Sequence, residues 1–582
     1  MTKTMILGKD AALEDSIARM KSLLSGHGFD VEEASWLNPV PNVWSVHIRD
    51  RYCPFLFTNG KGATQKAALA SALGEFFERL NCNYFFADFY LGESTANAAF
   101  VHYPQEKWLK PQSETIPAEL LDDRTLKFYN AGGELKSSML TDTNSGNSKR
   151  GICALPFIRQ RDQQTVLIPM NIVGNLYVSN GMSAGNTPTE ARVQALSEVF
   201  ERWVKNKIIA EGIALPDVPQ DVLNQYPSIV EAIKELESHG YPILVKDASL
   251  GGQFPVMNVT LLNPSDGSCF CSYGGHPKFE VALERTLTEL LQGRSLDKLD
   301  VFSPPTFDSE AVAETLNLEA HFIDSNGLVN WDFFRKTSDH EFVHWNFKGQ
   351  STQEEFNTLL GIFHEMNQDV YIADYDHLGV YGCRILVPGM SEIYHSDDLV
   401  WDNNNAGAAL RSEILGVHDL SPVNCNTLYE TLEERGFDDM QLVTAVLGII
   451  PDAGTTWASL RFGEFKAMLA LASGELENAQ ANVDWCLHFA PLTPERRRQY
   501  LCLAALLQVK IEDRDLSEYQ GVFGQMYGAD LMSRCQAIIA QELRFEGLHR
   551  SSLKLEGFEM HQKLLTSYEK LQRAKQTWWQ SK

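Results

Sequence analysis

The chain has 582 residues, of which 44% are hydrophobic and 22% are charged, and its formal net charge is −26. This is a globular composition, and the length predicts two or three domains, because single hydrophobic cores stop growing at smaller sizes. The negative charge argues against direct binding to nucleic acid, whose phosphates attract clustered Lys and Arg.

The sequence predicts a cytoplasmic protein without a membrane anchor. It begins MTKTMILGKDAALEDS, which lacks an apolar signal core, and no stretch approaches the length of about 18 apolar residues that a membrane span requires. Ten cysteines are scattered without a C-x-x-C spacing, and Cys269 and Cys271 form the only close pair. We interpret this pair as reduced, buried thiols on one strand face, with a metal or redox site as the less favoured alternative.

The first predicted element is an amphipathic helix from Asp10 to Leu24, in which apolar residues recur at helical spacing. Strands at Val43 to Arg49 and at Phe55 to Thr58 then lead into a glycine-bearing turn. Thr165 to Val178 has a strong β pattern and leads into a second glycine turn.

A helix from Tyr226 to His239 precedes three further strands, and the last of them leads into a third glycine turn at Tyr273. Val370 to Val387 is predicted to form a β-hairpin. Because a strand precedes each helix that follows a glycine turn, the pattern predicts an α+β fold with antiparallel sheets and helices on one face.

Nearly everything after about Leu428 is predicted to be helical. Residues 470–491 resemble the second half of a tetratricopeptide unit, with Gly474 between the helices, although a generic αα-hairpin explains the pattern equally well. A helical module appended to an enzyme core more often serves as a docking or dimer surface than as a second active site. We therefore predict a core of residues 1–410, a tetratricopeptide-like interaction domain of residues 411–582, and a homodimer.

The stretches after the three glycine turns are copies of one motif, and they span residues 59–79, 180–202 and 273–294. Each copy places a glutamate at the corresponding phase of its predicted helix, namely Glu75, Glu198 and Glu289. In the first two copies a second glutamate, Glu78 or Glu201, follows three residues later, so that both carboxylates lie on one side of the helix. This is an internal repeat of a functional segment.

Carboxylates on helices as apolar as these require a compensating cation. Ligands that are all oxygen favour Mg²⁺ over Zn²⁺, and the same helices supply Arg79, Arg202 and Arg285, whose guanidinium groups suit phosphate. One copy alone would be interpreted as a solvated helix face, but two near-identical copies and a third partial one favour a binding site. We predict a nucleoside triphosphate site with Mg²⁺ held by Glu75, Glu78, Glu198, Glu201 and Glu289.

The same segments resemble the three ATP- and Mg²⁺-binding segments of the YcaO family. The resemblance rests on SALGEFFER (71–79), QALSEVFER (194–202) and ERTLTELLQ (284–292), and the GKG turn at 60–62 and RILVPG at 384–389 fit the same family. It covers about residues 1–410 and continues into the tail, as in stand-alone members. It implies that further residues surround the ATP, namely Lys9, Ser16, Arg19, Ser71, Ser183, Asn186, Glu190 and Gln194.

The family resemblance also implies a reaction, in which ATP phosphorylates the oxygen of a backbone amide and so activates it toward a nucleophile. The sequence contains no Walker A pattern and no kinase H-R-D or D-F-G set, which argues against a P-loop or protein-kinase fold. The tail QTWWQSK lacks the proline-rich end of azoline-forming members. Stand-alone members with such a tail are linked to β-methylthiolation of a small-subunit ribosomal protein, so the implied partners are that protein, or another peptide substrate, and its methylthiotransferase.

Two hypotheses from other classes remain open at this point. The chain could be a nucleotide-sensing adaptor that binds ATP, modifies no amide and acts through its helical tail. It could also be a Mg²⁺-dependent ligase or hydrolase of small acids.

Overall fold

The computed structural model describes residues 3–143, 145–299, 301–347, 349–395 and 406–582. Its described strands form three sheets in which neighbouring strands pair in antiparallel fashion, and helices make up the C-terminal region. The predicted α+β fold with antiparallel sheets is therefore confirmed.

The N-terminal sheet is covered by one long helix. Its elements are α1 (Leu13–Gly26), β1 (Val31–Val40), β2 (Val43–Asp50), β3 (Phe57–Gly62) and α2 (Gln65–Asn81). The strands lie in the order β1-β2-β3, and α2 begins where Thr64 accepts a hydrogen bond from the amide of Ala67. Leu73, Phe76 and Phe77 then bury one face of α2.

A six-stranded sheet forms the centre, with the order β4-β5-β11-β12-β7 and with β6 paired to β5. Its first elements, with the helices between them, are α3 (Gly92–Ala96), β4 (Lys107–Leu109), α4 (Asp123–Tyr129), β5 (Ile152–Arg159), β6 (Thr165–Pro169), α5 (Met170–Tyr177), β7 (Met182–Gly185) and α6 (Pro188–Glu211). The prediction of a strand over Thr165 to Val178 is wrong in its second half, which forms α5. Ile172, Val173, Leu176 and Tyr177 are all buried there, at a spacing that also suits a helix.

A third sheet has the order β10-β9-β8, and the hairpin β11–β12 completes the central one. The elements here are α7 (Gln220–Leu223), α8 (Pro227–Ser238), β8 (Ile243–Asp247), β9 (Val256–Asn263), β10 (Ser268–Gly275), α9 (Phe279–Leu290), α10 (Ser309–Ala313), α11 (Thr315–Ile323), α12 (Thr352–Glu365), β11 (Tyr371–Tyr375) and β12 (Tyr381–Leu386). The helix predicted at Tyr226 to His239 and the hairpin predicted at Val370 to Val387 are confirmed.

The C-terminal region is helical, as predicted. Its helices are α13 (Arg411–Leu415), α14 (Pro422–Arg435), α15 (Val443–Val446), α16 (Thr456–Ser459), α17 (Phe462–Ser473), α18 (Leu476–Phe489), α19 (Pro494–Ile511), α20 (Gln520–Tyr527), α21 (Ala529–Ile539) and α22 (Glu559–Ser581). Gly474 ends α17 at a φ of +84°, which confirms the turn between two helices. The tetratricopeptide likeness, the domain boundary at 410 and the homodimer stay predictions.

The last helix, α22, returns to the N-terminal sheet. Leu564, Tyr568 and Leu571 belong to the same buried cluster as Phe76 and Phe77 of α2. The two ends of the chain therefore share one core. In the described part of the chain, no helix has both the length and the apolar character that crossing a membrane demands.

The glycines of the repeated motif lie in strands in the first and third copies, so the prediction of glycine turns is wrong there. Gly60 lies in β3 and Gly274 in β10, each directly against the helix that follows. A Cβ at Gly60 would collide with the backbone of Ala68 and Ala72, and a Cβ at Gly274 would lie 2.8 Å from the amide nitrogen of Thr286. The glycines permit a close strand–helix approach, whereas Gly181 of the second copy does lie in a turn, at a φ of +78°.

Overpacking a protein core usually costs about 1–3 kcal/mol. Because of this close contact, Gly60→Ala is predicted to destabilise the protein by more than that. The added methyl group would meet backbone atoms of α2, which cannot move aside as a flexible side chain can. Chemical denaturation of the purified variant measures the change in the free energy of unfolding.

Gly361→Ala is the matched control, since it also adds a methyl group to a glycine. Gly361 lies inside α12 with open space around its would-be Cβ, so alanine there is expected to stabilise the helix by up to about 1 kcal/mol. Equal effects of the two substitutions would contradict the proposed close approach.

Candidate functional site

One cavity of about 570 Å³ lies between the helices α2, α6 and α9 of the three motif copies. This volume is within the range of about 300–1,000 Å³ that is usual for ligand sites. All sixteen residues predicted for the site line this cavity: Lys9, Ser16, Arg19, Ser71, Glu75, Glu78, Arg79, Ser183, Asn186, Glu190, Gln194, Glu198, Glu201, Arg202, Arg285 and Glu289. Residues separated by more than 200 positions in the chain are thus brought together.

The first two copies of the motif begin their helices in the same way. Thr64 before α2 and Thr187 before α6 have extended backbones, and each side chain accepts a hydrogen bond at 3.2 Å from an amide three residues on. This cap fixes where the helix begins, and therefore the phase at which its glutamates face the cavity.

Arginines pair with the carboxylates of these helices. Arg79 lies 3.1 Å from Glu75 and 3.5 Å from Glu78, and Arg202 lies 2.7 Å from Glu198. On the third side, the amide of Gly275 donates to Glu201 at 2.9 Å. In the first two copies, the arginine four residues after the first glutamate therefore supplies a counter-charge.

Glu78 is the most perturbed carboxyl group among them. Burial raises the pKa of Glu78 from 4.5 to about 8, against the lowering effect of Arg79 and with a further contribution from the charges of Glu198 and Glu75. At neutral pH and without a metal, this carboxyl group is therefore protonated more often than not. A cation at the site would favour its ionised form.

Lys61 is a residue of the cavity that the sequence analysis missed. It forms an ion pair with Glu289, and burial, together with the charge of Arg285, lowers the pKa of Lys61 to about 8. Since Gly60 and Gly62 of β3 face α2, strand alternation places Lys61 on the opposite face. This alternation could have identified Lys61 from the sequence, but only if the segment had been recognised as a strand.

His276 is a second missed residue, just after β10. It is only 4% exposed, and burial, with the nearby charge of Arg285, holds its pKa well below the usual range. The ring is therefore neutral, and its Nδ1 accepts a hydrogen bond from the amide of Lys278 at 3.0 Å. No spacing in the sequence indicates that His276 lines the cavity, because the ring reaches the cavity only through tertiary packing.

The N-terminal segment closes one side of the cavity. The amide of Asp10 donates to the buried Glu190 at 2.9 Å, and Lys9 lies 3.5 Å from the same carboxylate. The hydroxyl of Ser16 on α1 donates to Asn186 at 2.9 Å. The residues that the family resemblance added thus connect this segment to the start of α6.

The donors that line the cavity fit an anionic ligand beside a divalent cation. Among the described residues, Arg202 Nη1 and Arg285 Nε are buried and have no hydrogen-bond partner. A buried guanidinium N–H is costly to leave unpaired, and phosphate oxygens would satisfy both groups. The oxygens of the five glutamates are ligands that suit Mg²⁺.

Comparison with known proteins agrees with this chemistry. Residues 59–391 match the family model described as YcaO cyclodehydratase, ATP- and Mg²⁺-binding, and residues 407–577 match the model of the YcaO cyclodehydratase C-terminal domain. The chain is 58% identical over its full length, and over the full length of the relative, to the ribosomal protein S12 methylthiotransferase accessory factor YcaO of Escherichia coli. It is 53% identical, over 99% of each chain, to an uncharacterized protein of Haemophilus influenzae.

Solved structures show more distant similarity. The YcaO protein of Methanopyrus kandleri bound with AMPPCP and Mg²⁺ is 19% identical, with a TM-score of 0.40 over 67% of this chain and 95% of that chain. A heterocyclase in complex with substrate and cofactor is 16% identical, with a TM-score of 0.43, and this chain covers 54% of its length. By the family models and the full-length relatives, the chain belongs to the YcaO family of ATP- and Mg²⁺-binding proteins.

Proposed function

We propose that this protein uses Mg²⁺ and ATP to phosphorylate a backbone amide oxygen in a peptide or protein, and that it acts as an accessory factor for β-methylthiolation of a small-subunit ribosomal protein. One observation supports the chemistry most strongly. Acidic and guanidinium side chains from three copies of one motif line a single cavity, although the copies are far apart in the chain. Such a set can hold a metal and a triphosphate side by side.

The glutamates are the proposed metal ligands. Glu75 and Glu78 approach from α2, Glu198 and Glu201 from α6, and Glu289 from α9. Mg²⁺ bound by them would neutralise and orient the triphosphate oxygens. Glu78 would give up its proton when the cation arrives, since its carboxylate would then have a partner.

The arginines are the proposed phosphate ligands. Arg202 and Arg285 each have a buried N–H without a partner among the described residues, and Arg79 lies between two carboxylates that would turn to the metal. The main tasks of a phosphoryl-transfer site are positioning and charge neutralisation, because the protein itself takes little part in the covalent chemistry of the transfer. The other predicted residues would surround the rest of the nucleotide.

In the proposed step the amide oxygen attacks the terminal phosphorus of ATP. A new P–O bond forms while the bond to the leaving diphosphate nucleotide breaks, and arginine N–H groups stabilise the transferred charge. The phosphorylated amide carbon then accepts a nucleophile, and phosphate leaves with the former amide oxygen. A poor leaving group is thereby converted into a good one.

The accessory role rests on the relative from Escherichia coli, whose name states it and whose full length aligns with this chain. The alternative from another class is an adaptor that binds ATP at the same cavity without modifying an amide. Measuring ATP turnover distinguishes the amide-activating enzyme from the adaptor.

Glu75→Gln and Glu198→Gln are each expected to lower Mg²⁺-dependent ATP turnover by about 100-fold, the size of effect seen when one electrostatic contact to a transition state is removed. Each substitution keeps the shape of the side chain but removes a negative charge from the proposed metal site. Release of phosphate from ATP by the purified full-length protein is the measurement.

Glu211→Gln, on the exposed end of α6, is the matched control and should leave turnover unchanged, because Glu211 pairs only with Lys207 among the described residues. Variants at 75 and 198 that turn over ATP like the parent would falsify the site. A parent that binds ATP but releases no phosphate would instead favour the adaptor.

The perturbed carboxyl group of Glu78 predicts a pH dependence of stability. Its pKa in the folded protein is raised from 4.5 to about 8, so its favourable contribution is complete below pH 4.5 and is lost as the pH rises through 8. Without metal, Glu78→Gln should therefore melt at an increasingly higher temperature than the parent as the pH rises from 5 to about 9.

Mg²⁺ should reduce this difference, because it stabilises the ionised form of Glu78 in the parent alone. Thermal melting across this pH range, with EDTA or with Mg²⁺, tests both parts, and Glu211→Gln serves as the exposed control. A difference in melting temperature that does not change with pH would contradict the raised pKa.

The accessory role predicts a change in cells. Deleting this chain is expected to abolish or strongly reduce the β-methylthio group on a small-subunit ribosomal protein, while the parent gene restores it and the Glu75→Gln gene does not. Intact-protein mass spectrometry of purified ribosomal subunits measures the modification. Unchanged modification in the deletion strain would remove the accessory role but would leave the ATP chemistry to be judged by turnover.

A further inference from the structure

A buried cluster of three metal-ligating side chains lies outside the nucleotide cavity. His102, Asp142 and Cys153 each offer one ligand atom, and these atoms all lie within 4.8 Å of one another. The three residues are 8%, 4% and 0% exposed. They come from distant parts of the chain, since Cys153 is in β5 whereas the other two lie in separate connections.

The donor atoms of this cluster are those of a zinc site. A thiolate, an imidazole and a carboxylate together suit Zn²⁺, whereas the all-oxygen nucleotide cavity suits Mg²⁺. Ligand atoms in a tetrahedral zinc shell are about 3.3–3.8 Å apart, given bond lengths of about 2.0–2.3 Å. His102 Nε2 and Asp142 Oδ2 are 2.6 Å apart, so shifts of about an ångström in these side chains would complete the shell.

A second observation points to a ligand here. The hydroxyl of Ser145 is fully buried, and its interaction with the carboxylate of Asp142 does not reach the distance and angle of a normal hydrogen bond. Ser145 adjoins the cluster, because its amide donates to the other oxygen of Asp142 at 3.3 Å. A buried hydroxyl whose hydrogen bonding is incomplete requires an explanation, and a bound ion or its coordinated water would supply one.

The surroundings hold the histidine in place. Glu106 accepts hydrogen bonds from the amides of His102 and Tyr103, at 2.7 and 3.0 Å. The carbonyl of His102 accepts one from the buried Lys575 of α22 at 2.7 Å. These contacts fix the backbone at His102 and therefore the point from which its ring reaches the cluster.

We propose that His102, Asp142 and Cys153 bind one Zn²⁺ ion, with the Ser145 hydroxyl or a water molecule as the fourth ligand. Binding replaces the proton of the Cys153 thiol, which is released to solvent. The site is closed and structural, since its ligands are buried. It would tie β5 and the loop of Asp142 to the segment on which α22 lies.

The test begins with the full-length protein stripped of metal by a chelator, incubated with Zn²⁺ in excess Mg²⁺ and passed through a desalting column. Excess Mg²⁺ keeps zinc from the carboxylates of the nucleotide cavity. We expect about one zinc per chain by mass spectrometry of the elements, a higher melting temperature with zinc, and a thiolate-to-metal absorption band when Co²⁺ replaces Zn²⁺.

Cys153→Ser should lose the bound zinc, the gain in melting temperature and the cobalt band. Cys271→Ser is the matched control and should keep all three, because it removes an equally buried thiol from the one close cysteine pair in the sequence. A parent without bound zinc, or a Cys153→Ser variant that retains it, overturns the proposal.

X-ray absorption on the zinc-loaded parent keeps the test decisive if Cys153→Ser does not fold. One sulfur at about 2.3 Å and two or three nitrogen or oxygen neighbours are expected. A shell without sulfur would place the zinc elsewhere and overturn the proposal.

Discussion

Repulsion among carboxylates is the constraint on which the arrangement of this site depends. Glu75, Glu78, Glu198, Glu201 and Glu289 face one cavity, in a chain that already carries a net charge of −26. Of the cations that line the cavity, Lys61, Arg79, Arg202 and Arg285 lie on β3 and on the three helices that carry these glutamates. Considered alone, these nine groups carry one negative charge in excess, and the proton that Glu78 retains at neutral pH neutralises it. Without ligand, this part of the cavity is therefore close to electrically neutral.

That balance has a consequence for nucleotide binding. A triphosphate would bring about four negative charges into a neutral cavity, which the same four cations could not compensate. A divalent cation must enter with it, and the carboxylates would then turn from the arginines to the metal. Arg79 and Arg202 each form an ion pair with a neighbouring glutamate, and both members of each pair line the cavity. The glutamate could therefore turn to the metal while the arginine turns to the phosphates.

From the sequence, the residues that line this cavity could be named in more detail than the strands and turns around them. Helical phase is a local property, so the glutamates and arginines of the two E-x-x-E-R segments, at 75–79 in α2 and 198–202 in α6, could be assigned from spacing, and these six residues line the cavity. Lys61 was missed because its direction follows from strand alternation in β3, a segment interpreted as a turn from its glycines. Gly60 is glycine for the close approach of α2, and that requirement is invisible until the helix is placed. The apolar run at α5 was misassigned because periodicity does not distinguish a short buried helix from a buried strand, and the β-branched Ile172 and Val173 favour a strand.

The return of α22 links the two regions that match separate family models. Tyr568 donates to the carbonyl of Val101 at 2.6 Å, and Lys575 is buried beneath the same segment, so the last helix completes the core of the first sheet. A tail cut away at about residue 428 would expose Leu564 and Leu571, which lie in that core. Partner binding by an isolated tail would therefore be measured on a newly exposed apolar face. The docking role predicted for the C-terminal helices is consequently better examined in the full chain, with substitutions on helices that face away from the first sheet.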